Sequence, residues 1–138
     1  MAERISVTAA DGHSFAAWRA DPTGETRGGI VVLQAIYGLT SHLGDVCDSF
    51  ARADPLRPAA DRIAISGFCT GGTWAFIAAA ELDLEAAVIF YGTDVHEHLD
   101  RTLRCPTLMH YGDKDHILSI DTVRHIEATY PDAEFHVY

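Results

Sequence analysis

The segment "ISGFCTGGTWAFIAAA" (65–80) contains the residues whose types and spacing point most directly to chemistry. A short apolar run ends at Gly67, Cys69 follows after one residue, and Gly71 precedes an alanine-rich run. The spacing Gly-x-Cys-x-Gly is that of a nucleophile elbow, with cysteine in place of the more usual serine. This pattern predicts that Cys69 is a nucleophile held above the edge of a sheet.

The elbow also indicates how the thiol would become reactive. Glycines are needed two positions to either side, because larger side chains would collide across a strained turn. The helix that follows places its N-terminus beside the sulfur, which favours the thiolate. The backbone N–H of Thr70, directly after the nucleophile, is a predicted oxyanion donor. The alternative is that Cys69 only packs at a junction between strand and helix.

The rest of the chain alternates between strand and helix patterns. A turn at Asp11-Gly12 predicts an N-terminal hairpin. The alternation predicts a single α/β domain over residues 1–138, with a mostly parallel sheet and helices on both faces. Trp74 and Phe76, in the alanine-rich helix, are predicted core residues. After the hairpin the predicted strands are 28–34, 61–67, 86–92, 105–112 and 134–138, and the predicted helices are 40–53, 71–82 and 119–130.

Composition limits the class of protein. The chain has 138 residues, 48% of them hydrophobic, which is enough for one domain with its own core. A formal net charge of −10 argues against nucleic acid and anionic membranes as partners. No apolar run approaches the roughly 20 residues of a membrane span. The first residues lack the pattern of a signal peptide, so a cytoplasmic location is expected. Cys47, Cys69 and Cys105 are predicted free thiols.

Four blocks of the sequence resemble the dienelactone hydrolase family, a branch of the α/β-hydrolase fold that uses a cysteine nucleophile. Members of this family hydrolyse small lactones and related esters through a Cys–His–Asp triad, without a metal or cofactor. The resemblance therefore implies a small-molecule ester or lactone substrate, no metal and no cofactor. The blocks are "VVLQAIYGLTSHLGDVCDSFA" (31–51), "RIAISGFCTGGTWAFIAAA" (62–80), "AAVIFYGT" (86–93) and "CPTLMHYGDKDHILS" (105–119).

The resemblance assigns roles to particular residues. Cys69 is the implied nucleophile. Asp115, in "HYGDKD", is the implied acid, because the family's aspartate stands three residues after the glycine that closes this strand. Asp113 is the alternative. The backbone N–H of Ile36 is the implied second oxyanion donor, beside that of Thr70.

The sequence departs from the family at three places. The family histidine lies in a segment that would follow "EFHVY" (134–138), so the pattern assigns it to no histidine of this sequence. A strand and a helix of the family are expected, and are missing, between about 53 and 61. The glutamate that interacts with the family's nucleophile is replaced by Ala35, which cannot accept a proton. We therefore interpret the chain as a shortened version of the fold.

Other candidates for chemistry are weaker. His110, His116 and His136 are possible substitutes for the missing base, but packing, surface exposure or position on a strand explains each of them better. The motif "HEH" (96–98) is a possible metal site, although no third ligand stands at a suitable spacing and a loop or helix start is expected there.

Three functions remain open on the sequence. The first is hydrolysis of small lactones or esters by Cys69. The second is an inactive hydrolase-like module that binds a ligand, and the third is a thiol redox or sensor role for Cys69. A monomer or a weak homo-oligomer is expected, because an exposed sheet edge would favour association.

Overall fold

The structure is a computed structural model and describes residues 1–24, 28–52 and 62–138. The chain begins with an antiparallel hairpin of strands β1 (Glu3–Thr8) and β2 (Ser14–Arg19). Gly12 turns the chain with a φ of 87°, a conformation that glycine adopts without strain. The hairpin predicted from the Asp11-Gly12 turn is confirmed.

Five parallel strands form the main sheet, and their spatial order follows the order of the chain. The predicted strands and helices are confirmed to within two residues at each described end, and so is the α/β class. The strands are β3 (Gly29–Leu33), β4 (Ile63–Phe68), β5 (Ala86–Phe90), β6 (Thr107–Tyr111) and β7 (Glu134–Val137). The helices are α1 (Ser41–Arg52), α2 (Thr70–Glu81) and α3 (Ile120–Thr129), and a 3-10 turn covers Val95–Glu97.

The core lies where α2 and α3 pack on the central strands. Phe76 of α2 and Ile126 of α3 are fully buried in one cluster with Ile89 of β5 and Met109 of β6. Burial of large apolar side chains is the main source of stability in such a layer. Phe76 is therefore confirmed as a core residue. The same prediction for Trp74 is wrong, because its side chain lies on the outer side of α2 and is 60% exposed.

Helix α1 joins the hairpin to the main sheet. The indole ring of Trp18 on β2 lies over Gly44 of α1, where an added Cβ would be 3.4 Å from the ring. The indole N–H donates a hydrogen bond to the carbonyl of Thr40, at 3.0 Å. Leu43 is also buried on α1. Among the described strands, the hairpin forms no hydrogen-bonded pair with a strand of the main sheet. The contacts with α1 therefore hold it in position.

Strand β3 forms one edge of the main sheet in the described part of the chain. Its residues Ile30 and Val31 are each nearly half exposed. The sequence predicts that a strand and a helix are missing between about 53 and 61. This prediction falls on residues outside the described ranges. No helix in the described ranges is long and apolar enough to cross a membrane.

One row of rings crosses four strands of the sheet. Phe68 stacks on Phe90 at a centroid distance of 4.8 Å, Phe90 on His110 at 4.7 Å, and His110 on His136 at 5.4 Å. Parallel strands in register place such side chains on one face. Burial, with a contribution from His136, lowers the pKa of His110, while Glu134 acts in the opposite direction.

This row predicts an acid-dependent loss of stability. The pKa of His110 is lower in the folded protein than in the unfolded chain, so the unfolded chain binds its proton more readily. The resulting loss of folding stability is absent well above the ordinary histidine pKa of about 6.5 and grows as the pH falls below that value. His110→Gln should therefore lose less stability than the wild type between about pH 7 and pH 5, as measured by urea unfolding. His125→Gln, at an exposed site on α3, should behave like the wild type.

The core also contains a hydroxyl with an unsatisfied hydrogen bond. Tyr111 is 2% exposed, and no described residue accepts a hydrogen bond from its hydroxyl. Tyr130 is 8% exposed, and its hydroxyl donates to the carbonyl of Arg101 at 2.9 Å. The two tyrosines therefore form a matched pair for substitution.

Tyr111→Phe should raise the free energy of unfolding by about 1 kcal/mol, since it removes a buried polar group without a partner. Tyr130→Phe should lower it by about 1 kcal/mol, since it leaves a carbonyl without its donor. Urea unfolding of both variants measures the two effects. Equal destabilisation of both would contradict the interpretation.

Candidate active site

The turn between β4 and α2 places Cys69 in a strained conformation. Its φ of 58° and ψ of −124° are rarely adopted by residues other than glycine. The backbone N–H of Cys69 donates to the carbonyl of Phe90 at 3.0 Å. Its own carbonyl accepts from Gly72 at 2.8 Å and from Thr73 at 3.2 Å. Strain of this kind persists only where neighbouring structure fixes it, and it is concentrated at functional sites.

The glycines around Cys69 are required by close backbone contacts. A Cβ on Gly67 would lie 2.0 Å from the carbonyl oxygen of Gly71. A Cβ on Gly71 would lie 2.4 Å from the carbonyl oxygen of Gln34. Neither distance is compatible with a side chain, so these contacts give the physical reason for the Gly-x-Cys-x-Gly spacing.

Cys69 differs from the other cysteines in its surroundings. All three are free thiols, and each is partly buried. Burial raises the pKa of Cys105, and burial together with the charge of Asp48 raises the pKa of Cys47. Cys69 stands at the N-terminus of α2, which has no acidic residue in its first turn and no side-chain cap. The first N–H groups of a helix lack intrahelical acceptors and carry partial positive charge, which stabilises a thiolate.

The loop after β3 lies directly against the start of α2. The close contact of Gly71 with the carbonyls of Leu33 and Gln34 brings this loop beside the elbow. Ile36 follows in a turn that the Gly38 N–H closes on Ala35 at 3.1 Å, and its side chain is 75% exposed. The loop that carries the Ile36 N–H therefore touches the helix that begins with Thr70. Their role as paired oxyanion donors stays a prediction.

The two candidate acids differ in how they are held. Asp115 is partly buried, and its Oδ1 accepts from the N–H of Ile117 at 2.7 Å and of Leu118 at 3.3 Å. Asp113 is exposed, and its backbone N–H donates to the carbonyl of Tyr138 at 2.7 Å. A catalytic carboxylate must keep a fixed orientation, which Asp115 does. The geometry therefore favours Asp115 over Asp113, and its role as the acid remains a prediction.

The described histidines make contacts elsewhere. His110 Nδ1 lies 3.2 Å from the Tyr138 hydroxyl, and His136 Nε2 lies 2.8 Å from a carboxylate oxygen of Glu134. His116 is exposed. In residues 1–24, 28–52 and 62–138, no histidine side chain is hydrogen-bonded to Cys69 or Asp115.

The "HEH" motif lies in and beside the 3-10 turn Val95–Glu97, as the expected loop or helix start. Within the described ranges, no three His, Cys, Asp or Glu side chains come together in an arrangement that could hold a metal ion.

Tyr91 lies beside this site, although no motif in the sequence points to it. It follows β5 directly, has a φ of 40°, and its pKa is raised by burial and then by the charges of Cys69 and Asp115. The only signal in the sequence is its place at the end of the strand beside the nucleophile strand, in "AAVIFYG".

A parallel sheet with a strained Gly-x-Cys-x-Gly turn between strand and helix is typical of the α/β-hydrolase fold. Known structures agree with this class. The crystal structure of a Klebsiella pneumoniae protein assigned as a dienelactone hydrolase superposes with a TM-score of 0.82 at 22% identity, covering 100% of this chain and 85% of that one. An esterase from Pyrococcus furiosus superposes with a TM-score of 0.77 at 12% identity, covering 99% and 81%.

The chain belongs to the dienelactone hydrolase family, whose model matches residues 56–138. Among its relatives is a carboxymethylenebutenolidase from Pseudomonas putida, which is 24% identical over 173 aligned residues. That alignment covers 86% of this chain and 73% of the relative. The resemblance that the elbow and the four blocks indicated is thus confirmed at the level of the family.

The contact between Gly67 and Gly71 predicts a large effect of one methyl group. Gly67→Ala places a Cβ 2.0 Å from a backbone oxygen, so β4 and α2 must separate. We expect the free energy of unfolding to fall by about 3 kcal/mol or more. Gly24→Ala, where no atom lies within 4 Å, should change it by less than about 0.5 kcal/mol. Urea unfolding of both variants is the test, and a similar small effect for both would contradict the contact.

Proposed function

We propose that the protein hydrolyses small lactones or esters through a Cys69 nucleophile. The observation that carries this proposal is the strained conformation of Cys69 at the N-terminus of α2, in a member of the dienelactone hydrolase family. A non-glycine residue in this conformation is costly, and the elbow turn gives it a chemical purpose. The family and its lactone- and ester-cleaving relatives support the substrate class.

In the first step the thiolate of Cys69 attacks the carbonyl carbon of the substrate. A C–S bond forms, and the carbonyl oxygen becomes an oxyanion that the N–H groups of Thr70 and Ile36 stabilise. The oxyanion then collapses, the C–O bond to the leaving group breaks, and the alkoxide takes up a proton. With a lactone, this alkoxide remains tethered to the acyl group.

In the second step water resolves the thioester. Water adds to the thioester carbonyl through a second oxyanion, the C–S bond breaks, and the carboxylic acid leaves with regeneration of the thiolate. Water must lose a proton as it attacks, which calls for a base. Asp115 would orient that base, as the acid of the triad does in the family pattern.

An inactive, ligand-binding module is the second candidate. The observation in its favour is that no histidine side chain in the described ranges is hydrogen-bonded to Cys69 or Asp115. A thiolate at a helix N-terminus can be acylated without a base, but hydrolysis of the thioester would then be slow. The two candidates therefore differ in the fate of the acyl-enzyme. A redox or sensor role for Cys69 would also need an ionised thiol, but it predicts no acylation by esters.

Removal of the thiol tests the proposal. Cys69→Ala should lower the rate of hydrolysis of p-nitrophenyl acetate by about a thousandfold or more, and it should abolish acetylation of the protein. Release of nitrophenol measures turnover, and intact-protein mass measures the acyl-enzyme. Cys105→Ala removes a partly buried thiol that precedes β6, whereas Cys69 follows β4, so in this parallel sheet the two lie at opposite ends of the strands; the variant should change neither.

The outcomes separate the candidates. Turnover that depends on Cys69 supports the hydrolase. One equivalent of nitrophenol followed by a stable acyl-enzyme shows a nucleophile without hydrolysis, which favours the second candidate. Equal activity in the wild type and in Cys69→Ala would refute the nucleophile.

A further inference from the structure

A cleft of about 450 Å³ lies between α2 and the segment that follows β5. Thr70 and Trp74 line it from α2, and Glu97 and Arg101 line it from the opposite wall. Thr70 directly follows Cys69, so the cleft begins next to the candidate nucleophile and continues along the helix. No step of the proposed mechanism gives this cleft a role.

Backbone contacts hold the two walls of the cleft together. The N–H of Asp94 donates to the hydroxyl of Thr73 on α2, at 3.0 Å. A Cβ on Gly72 would lie 2.8 Å from the carbonyl oxygen of Phe90 and 3.0 Å from the Cα of Gly92. The first turns of α2 therefore pack at backbone distance on the segment after β5, and the cleft is formed before a ligand binds, as is usual for small-molecule sites.

Negative charge dominates the lining of the cleft. Glu81, Asp94 and Glu97 are acidic, and the lining also contains Arg101 and His98. Arg101 is ion-paired with Glu81, at the end of the cleft opposite the elbow. Among the described residues, no lysine or arginine forms an ion pair with Asp94 or Glu97. A cleft lined by one sign of charge raises the local concentration of ligands with the opposite sign.

The indole of Trp74 adds an aromatic wall. Its side chain is 60% exposed and lines the cleft between Thr70 and Ile77. The electron-rich face of an indole attracts a cation, and nearby carboxylates act in the same direction. Along a helix, the four residues from Thr70 to Trp74 rise by about 6 Å. A cation at the indole is therefore a short alkyl chain away from a carbonyl group held at the Thr70 N–H.

We propose that this cleft binds the acyl chain of the substrate and selects esters or lactones whose acyl chain carries an ammonium group. The inference rests on the proposed function, since it takes Cys69 as the residue that is acylated. Trp74 and Glu97 determine the specificity. A carboxylate in the same place is repelled by Asp94 and Glu97, so anionic esters are the poorer substrates. The acyl chain stays on the sulfur until water releases it, so the cleft acts in both steps.

The test compares two p-nitrophenyl esters of the same shape. One carries a 4-(trimethylammonio)butanoyl group, and the other carries a 5,5-dimethylhexanoyl group, in which tert-butyl replaces trimethylammonium. Release of nitrophenol gives kcat/KM for each ester, which is divided by its uncatalysed rate. This corrected value should be about tenfold higher for the cationic ester in the wild type.

Substitutions locate the preference in the cleft. Glu97→Gln and Trp74→Leu should each lower the ratio of the two corrected values about threefold. Glu127→Gln makes the same charge change at an exposed site on α3 and should leave the ratio unchanged. Added sodium chloride should lower the wild-type ratio, because it screens the charges that attract the cation.

The failure of this inference can be told apart from the failure of the proposed function. Turnover that depends on Cys69 but shows no cationic preference, or a preference that Glu97→Gln leaves unchanged, overturns the role of the cleft alone. Absence of any acylation of Cys69 overturns the proposed function. Saturation-transfer NMR of Cys69→Ala with the uncleaved amides of the same two acids then decides the cleft: stronger binding of the cationic amide, lost in Glu97→Gln, supports it, and equal binding of both amides overturns it.

Discussion

Close contact between glycine backbones is the constraint on which the rest of the site depends. Gly67 of β4 lies on the carbonyl of Gly71, and Gly71 in turn lies on the carbonyl of Gln34. No side chain fits between these segments, so strand, helix and loop meet at backbone distance. The strain at Cys69, the nearness of the Ile36 loop and the access of the thiol to the helix N-terminus all result from this contact.

The strand order explains how so short a chain assembles a candidate site. Because β4, β5 and β6 are neighbours in both sequence and space, Cys69, Tyr91 and Asp115 come after three consecutive strands at the same edge of the sheet. In open α/β sheets, ligands bind beyond the carboxyl ends of the strands. The three candidate residues are therefore brought together by the short segments that follow these strands.

The sequence was sufficient for the elements and for the elbow, because apolar runs, helical spacing and the glycine pattern are local signals. It was insufficient where the outcome depends on packing between segments. Trp74 has the large apolar side chain expected of a core residue but lies on the outer side of α2. In an alanine-rich helix the sequence periodicity does not show which side faces the core. Tyr91 is one of several aromatic residues in the sequence, and only strand register places it beside Cys69. For the acid, the family resemblance already assigned Asp115 over Asp113, and the structure adds that the backbone holds the Asp115 carboxylate.

The different surroundings of the two tryptophans have a practical consequence. Trp18 covers Gly44 and donates its indole N–H to Thr40, so its emission reports the docking of the hairpin on α1. Trp74 faces outward from the helix that begins at the elbow, so a soluble quencher can reach it. The protein therefore contains two intrinsic optical reporters, one for each sheet. Quenching can separate detachment of the N-terminal hairpin from rearrangement around α2, without any added label.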